Sequence, residues 1–279
     1  MAIRTRQSAA IQGELGAFSY SAARKLLGNR ALIVPCETFK SVFDAVESGK
    51  AEQAVLPIEN TLHGSVHETY DQLINHHLVI SGETSIRICH NLIGFRGIRF
   101  KDVRRAFSHP VALNQCRNFF SRNGQIEPVS YYDTAGSVKM LSEKAVEGAA
   151  AIASDAAAEL YGGTILRRNI EDNRQNFTRF FLLTKQARPT RRRAAWKTSI
   201  AFSVPNLPGA LFKAMACFAL RDVSLTKIES RPLREKPWEY LFYVDLIGSQ
   251  EDPMVERALG NLQEMTSFFK LLGSYQPTP

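Results

Sequence analysis

Along the first 186 residues the apolar positions alternate between two spacings. In SAAIQ (8–12), ALIVPC (31–36) and QAVLPI (53–58) they run together, as in strands buried within a sheet. In SYSAARKLL (19–27) and TFKSVFDAVESG (38–49) they recur three and four positions apart, the spacing of one helix face. LVISGETSIRICHNLIGF reads as two bridging strands, after which the alternation resumes. RRAFSH leads into PVALNQCRNFFSRNG, IEPVSYY into TAGSVKMLSEKA and GAAAIAS into DAAAELYG, and the chain returns through TRFFLLTK. Such strand–helix alternation predicts parallel sheets, here two α/β lobes spanning residues 8–186.

Beyond this region the order becomes β-α-β-β-α-β. Strands are predicted over 197–204, 224–231, 239–248 and 267–275, with helices over 209–222 and 252–265. That order is the ferredoxin-like unit, predicted as a second domain over 197–275. Between the two, ARPTRRRAAWK gathers Arg188, Arg191, Arg192, Arg193 and Lys197 around a proline, and residues 187–196 read as a solvated basic linker.

Composition narrows the function. The 279 residues are 44% hydrophobic, enough to build a core in each of two domains. No apolar run is long enough to cross a bilayer and the first residues lack a secretory h-region, so the expected location is the cytoplasm. Cys36, Cys89, Cys116 and Cys217 are scattered without a C-x-x-C pair, and suggest neither a zinc site nor a disulfide framework. The net charge of +8 is concentrated in the linker, and no stripe combines basic and aromatic residues as nucleic-acid binders do; a small anionic ligand remains.

Several strand-to-helix junctions suit such a ligand. QGELGAFS places Gly13, Gly16 and Ser19 at a turn into a helix; SHPVAL places Ser108 and His109 ahead of Pro110; DTAGS places Asp133 and Thr134 similarly. Each offers backbone N–H groups and a hydroxyl to an anion, although each residue alone is equally an ordinary N-cap. PIEN ends a buried strand, so Glu59 and Asn60 emerge where α/β folds collect ligands. Glu59 is read as a structural carboxylate or a general base, and Asn60 as a ligand contact. His63, His67, His76, His77 and His90 show no metal-ligand spacing, and no cofactor is expected.

NFTRFF (176–181) is the chemically distinctive stretch. Thr178 and Arg179 interrupt a run that otherwise reads as a buried strand, and a buried guanidinium needs an anion. An anionic ligand would pair with Arg179, Thr178 would offer a neutral donor, and Phe177 or Phe180 would exclude water.

In order and spacing, GELGAFS, FKSVFDAVESGKAEQAVLPIENTLHGSV, SHPVALNQC, YYDTAGS, AAIAS and NFTRFF, followed by NLPGAL and KIESRP, resemble the prephenate dehydratases that carry a C-terminal ACT domain. The resemblance implies two lobes around a cleft, like the type II periplasmic binding proteins. It also implies conversion of prephenate to phenylpyruvate, with loss of water and carbon dioxide, in phenylalanine biosynthesis. It makes Thr178 the catalytic residue, acting on the departing ring hydroxyl, with Asn60, Thr61, Ser108, His109, Thr134, Arg179 and Phe180 as substrate contacts. Arg179 is expected on a substrate carboxylate. Thr61 stands where the family usually has serine and Val111 where it usually has glutamine.

For the second domain the resemblance implies a site for phenylalanine as feedback inhibitor, formed by Asn206, Leu207, Pro208, Gly209, Ala210 and Leu211 with Glu229 and Ser230, where the ACT domains of a homodimer or homotetramer pair. Turn chemistry alone also accounts for the Pro-Gly. Two rival readings are arogenate dehydratase, which shares the scaffold, and a non-catalytic amino-acid sensor.

Overall fold

The computed structural model describes residues 7–186, 195–233 and 239–277. The linker expected over 187–196 lies outside them except for its last two residues. In chain order the first sheet and its helices comprise β1 (Ser8–Gln12), α1 (Phe18–Leu27), β2 (Leu32–Cys36), α2 (Phe39–Glu47), β3 (Gln53–Asn60), β4 (Gly64–Ser65), α3 (His67–Asn75) and β5 (Val79–Arg87). Then come β6 (Asn91–Gly94), β7 (Arg105–Ser108), α4 (Pro110–Asn114), α5 (Arg117–Arg122), β8 (Glu127–Ser130), α6 (Thr134–Glu143), β9 (Ala149–Ala153), α7 (Asp155–Tyr161), β10 (Thr164–Arg167) and β11 (Phe177–Thr184).

Local chemistry accounts for the helix starts. Thr38 and Ser41 exchange side-chain and backbone hydrogen bonds at the N-terminus of α2, whose Val42, Phe43, Ala45 and Val46 are buried. Ser154 caps α7, which ends on Gly162 in the left-handed conformation. The helix predicted across PVALNQCRNFFSRNG is instead split into α4 and α5. Asp172, from a distant loop, accepts from the backbone N–H groups of Arg117 and Asn118, both at 3.0 Å, and so starts the second helix afresh. Three of these elements, β4, α3 and β10, fall outside the predicted pattern. In α3 Thr69, Tyr70 and Leu73 are buried and only two of these are apolar, too few to establish a period; β4 has two residues, and β10 is a four-residue edge strand.

The first sheet has the order β2-β1-β3-β11-β5, with β4 paired to β3, and β1 runs parallel to both β2 and β3. The second has the order β10-β6-β9-β7-β8, with β7 parallel to β8 and β9. Strand β9 shows how the second sheet is covered. Ala149, Ala151 and Ala153 pack with Ala135, Val138 and Ala157 of α6 and α7, while Ala150 and Ile152 pack with Leu113 and Cys116 on the other side. Small residues on both faces let helices approach closely from either side.

The C-terminal region follows the predicted order: β12 (Lys197–Ser203), α8 (Ala210–Ala219), β13 (Leu225–Pro232), β14 (Tyr240–Ile247), α9 (Pro253–Met265) and β15 (Phe268–Tyr275), in an antiparallel sheet of order β13-β14-β12-β15. Ile200, Phe202, Phe242, Val244 and Leu246 meet both helices on one face. The chain divides into two compact units, Met1–Thr69 with Thr84–Phe180, and Tyr70–Glu83 with Phe181–Pro279. The second unit therefore takes in a segment that the sequence gives to the first domain. Within that unit Lys270 Nζ donates to the carbonyls of Leu73, Ile74 and His76 at 2.8, 3.0 and 2.7 Å, and Lys197 pairs with Glu83 at 2.6 Å.

Candidate active site

The C-terminal end of β3 meets the N-terminal end of β11, and nearly all polar groups there are committed. Thr61 N donates to Phe177 O at 2.9 Å. The Thr61 hydroxyl donates to Gln175 O at 2.8 Å and accepts from Phe177 N at 3.0 Å, so it clamps the two strands. Asn60 Oδ1 accepts from the backbone N–H groups of Leu62 and His63 at 2.9 and 3.1 Å. Backbone N–H groups can only donate, which fixes the orientation of the amide. Asn60 Nδ2 therefore faces Asn176 Oδ1 at 2.7 Å and Thr178 Oγ1 at 2.9 Å.

This orientation sets the polarity of Thr178. Its oxygen accepts a hydrogen bond from Asn60, and its own proton has no acceptor among the described residues. The side chain is 8% exposed and held at one position, with one donor to offer. Asn60 is thus first a holder of Thr178, where the sequence suggested a ligand contact.

Strand alternation separates the charge from the hydroxyl. Thr178 and Phe180 share one face of β11, Phe177 and Arg179 the other. Phe180 is only 1% exposed, whereas Phe177 is 40% exposed. Arg179 Nε lies 3.8 Å from Glu59 Oε2, so the anion that the sequence demanded for this guanidinium is already in the chain. Glu59 is its structural partner, in keeping with the first of the two roles read for it.

The second-lobe candidates lie at the C-terminal ends of β7 and β8. His109 is the N-cap of α4, with Nδ1 accepting from Val111 N at 3.2 Å, and Pro110 occupies the first turn as predicted. Ser108 departs from expectation. It is completely buried and its hydroxyl donates to Ile152 O at 2.6 Å, fastening β7 to β9 instead of opening onto a helix start. Thr134 begins α6, half-buried, behind the N-cap Asp133, whose Oδ1 accepts from Gly136 N at 2.7 Å. Burial holds the Asp133 carboxyl above the usual carboxylate range; Glu14 adds to this, while the Gly136 and Ala135 N–H groups and His109 oppose it.

The GELG turn also departs from its anion-binding expectation, because the second lobe occupies it. Tyr132 Oη and Lys139 Nζ donate to the two oxygens of Glu14, each at 3.0 Å. Tyr161 Oη donates to Leu15 O at 3.0 Å and Ser154 Oγ to Gly16 O at 2.7 Å. A Cβ on Gly16 would lie 2.8 Å from Ala157 Cα, and φ there is +89°. The turn is a seam between lobes. Asn176, Glu14 and Asp172 carry structural roles that sequence reasoning missed. Asn176 was within sight, inside the NFTRFF stretch itself.

In the C-terminal region Asn206, Leu207, Pro208 and Gly209 are exposed, Ala210 is half-buried and Leu211 is exposed. Gly209 is the N-cap of α8 at φ +76°. The strand register separates the other two candidates. Ser230 pairs with Phe242 on the helix-covered face, whereas Glu229 pairs with Tyr243 on the opposite face and lies 3.0 Å from Lys227. Within one chain Glu229 therefore does not share a face with the NLPGAL turn. A cavity of about 810 Å³ lies elsewhere, at the start of β7 and β9, lined by Arg96, Arg104, Arg105 and Lys144 with Asp102 and Glu147; it contains none of the nominated residues.

Residues 9–188 match the family model for prephenate dehydratase. An arogenate dehydratase/prephenate dehydratase of Arabidopsis thaliana is 44% identical over 280 residues, covering 97% of this chain and 73% of that protein. Prephenate dehydratase from Arthrobacter aurescens, solved in complex with L-Phe, superposes with a TM-score of 0.88 at 31% identity over 96% of this chain and 89% of that one. GqqA, described as a novel type of quorum-quenching acylase, gives the same TM-score at 37% identity, over 98% of this chain and 99% of that one. The family model over residues 9–188 and relatives at 31 to 44% identity over nearly the whole chain show that the chain belongs to the prephenate dehydratase family.

Proposed function

We propose that the chain dehydrates and decarboxylates prephenate to phenylpyruvate, with Thr178 as the group that acts on the departing oxygen. The observation that carries this reading is the polarity at Thr178: an accepted hydrogen bond from Asn60 and an uncommitted proton. As the ring carboxylate leaves as carbon dioxide, its bonding electrons enter the ring, the ring becomes aromatic, and the ring hydroxyl departs as water. One proton is consumed overall. Aromatisation supplies the driving force, so the protein must orient the dianion and stabilise charge on the leaving oxygen. Asn60 orients Thr178, and Thr61 and Ser108 fasten the strands that carry the site. Arg179 is proposed to give its guanidinium to a substrate carboxylate alongside Glu59, with His109 and Thr134 contacting substrate from the second lobe. This reading takes residues 8–186 as a catalytic domain with the two-lobed plan of the type II periplasmic binding proteins; the two sheets, each with its own helices, support it.

Residues 197–275 are proposed to be an ACT domain that binds phenylalanine as feedback inhibitor and pairs with a second copy in a dimer or tetramer. Its β-α-β-β-α-β order and the L-Phe complex of the Arthrobacter relative support this, as do the exposed Leu211, Phe212 and Leu220 of the α8 region. The cytoplasm is proposed as the compartment on the strength of four free cysteines, though the Arabidopsis relative is chloroplastic.

The decisive assay mixes purified protein with prephenate and, in parallel, with arogenate, and follows the aromatic products by ultraviolet absorbance. Turnover of prephenate with a higher kcat/KM supports the reading. Preference for arogenate would move the substrate by one functional group on the same site. The likeness to GqqA raises acylase activity as a second reading. An acylase would need the Thr178 proton to be taken by a base, yet the group on its oxygen is the Nδ2 donor of Asn60, which cannot take one. Release of fatty acid from an acyl homoserine lactone at a rate matching prephenate turnover would reverse this preference.

A further inference from the structure

Asn176 is 1% exposed, and its Oδ1 accepts from Asn60 Nδ2 at 2.7 Å. Its own Nδ2 is buried without a hydrogen-bond partner among the described residues. A buried amide that satisfies its acceptor and leaves its donor orphaned is a poor choice for packing, because the desolvated N–H groups gain nothing in return. An apolar side chain of similar volume would serve the core better. The Oδ1 contact gives the amide a use. Asn60 Nδ2 has two protons and three acceptors in reach; Asn176 Oδ1, the nearest at 2.7 Å, takes one, which leaves the other to Thr178 Oγ1 at 2.9 Å ahead of the more distant Phe177 O at 3.2 Å. Without Asn176 the Asn60 amide keeps its Oδ1 contacts but loses the shortest contact of its NH2 group, and the proton that Asn176 held is free to turn toward Phe177 O.

We infer that Asn176 is a positioning residue for the dehydration: it locks the Asn60 amide so that Thr178 accepts from Asn60 and directs its only proton toward the departing oxygen. The inference rests on the reading of Thr178 given above. It makes Asn176 act on the chemical step through Asn60, and it predicts a separation that a packing role would not show.

The test is a kinetic and thermal double-mutant cycle on the full chain with Asn176→Ala, Asn60→Ala and the pair, using prephenate. Asn176→Ala is expected to lower kcat about tenfold, the value of one net hydrogen bond, with KM within twofold. Its melting temperature should not fall in proportion, since the orphaned donor is removed together with the acceptor. The double variant should be no slower than Asn60→Ala alone. Asn176→Asp, which keeps an acceptor oxygen at the same place, should recover most of the lost kcat and covers the case in which the alanine variant folds poorly. Additive losses in the pair, or equal kcat for wild type and Asn176→Ala, would overturn the inference. If Thr178→Val turns over prephenate normally, the underlying reading fails; if it is inactive while every Asn176 variant is normal, only the present inference fails.

Discussion

The turn after Asn60, between two strands, and the turn at Gly209, at the start of α8, differ in how completely one chain furnishes them. At Asn60 the side chains are tied down: Asn60 to Leu62, His63, Asn176, Phe177 and Thr178, and Thr61 to Gln175 and Phe177. At Gly209 the backbone makes ordinary turn contacts, Ala210 N to Leu207 O at 3.1 Å and Lys213 N to Gly209 O at 2.9 Å, and the flanking side chains stand in solvent. Catalysis profits from groups fixed before substrate arrives, since no reorganisation is then needed during the reaction. A regulatory site gains its response from being incomplete until an effector or a second copy fills it. The two turns differ in the way that the proposed catalytic and regulatory roles would require.

The largest effect expected from breaking the first turn is at its centre. Thr178→Val should lower turnover a hundredfold or more, corresponding to about 2.7 to 4 kcal/mol of barrier, while circular dichroism shows the fold retained. Thr178→Ser should keep part of the activity. Asn60→Asp reverses one hydrogen bond: the carboxylate can no longer donate to Thr178 and takes up its proton instead. We expect a loss of about tenfold or more in kcat, with a smaller change in KM.

Glycines give the same contrast in stability. Gly16→Ala places a Cβ 2.8 Å from a backbone atom of Ala157 at a positive φ, and should cost about 2 to 4 kcal/mol in denaturant unfolding. Gly209→Val meets nothing within 4 Å, so only its φ of +76° penalises it, by about 1 to 2 kcal/mol. That variant should retain catalysis and lose inhibition by phenylalanine; unchanged inhibition would remove the effector site from this turn.

The smallest effect concerns pH. Burial raises the Asp133 carboxyl above its unfolded value, so its proton is held more tightly in the folded state. Its contribution is most favourable below the unfolded carboxylate range and is lost as pH rises through the higher folded value. Asp133→Asn, which can still cap α6, should therefore gain in melting temperature relative to wild type above that window and lose the gain below it. A difference between the two proteins that is constant with pH would show that the carboxyl does not titrate differently on folding.

Much of this organisation is legible in the residues themselves. Strand and helix periods locate most of the described elements, and Thr178 and Arg179 declare themselves by interrupting an apolar run. What the sequence does not carry is direction. Strand alternation sends Thr178 and Arg179 to opposite faces, and sends Ser108 inward to Ile152 although its residue type suited a ligand contact. The roles of Asn60 and Asn176 depend on β3 meeting β11 across more than a hundred residues, a pairing that local pattern does not encode. Likewise Glu229 looks adjacent to Ser230 on paper, but the sheet separates them.

The most direct test is a crystal structure with an analogue of prephenate that retains the ring hydroxyl but has a saturated ring and cannot aromatise. The account predicts Thr178 Oγ1 within about 2.5 to 3.0 Å of that hydroxyl oxygen, with Asn60 Nδ2 still on the threonine oxygen. A hydroxyl held by some other side chain, with Thr178 turned away from it, would contradict the account.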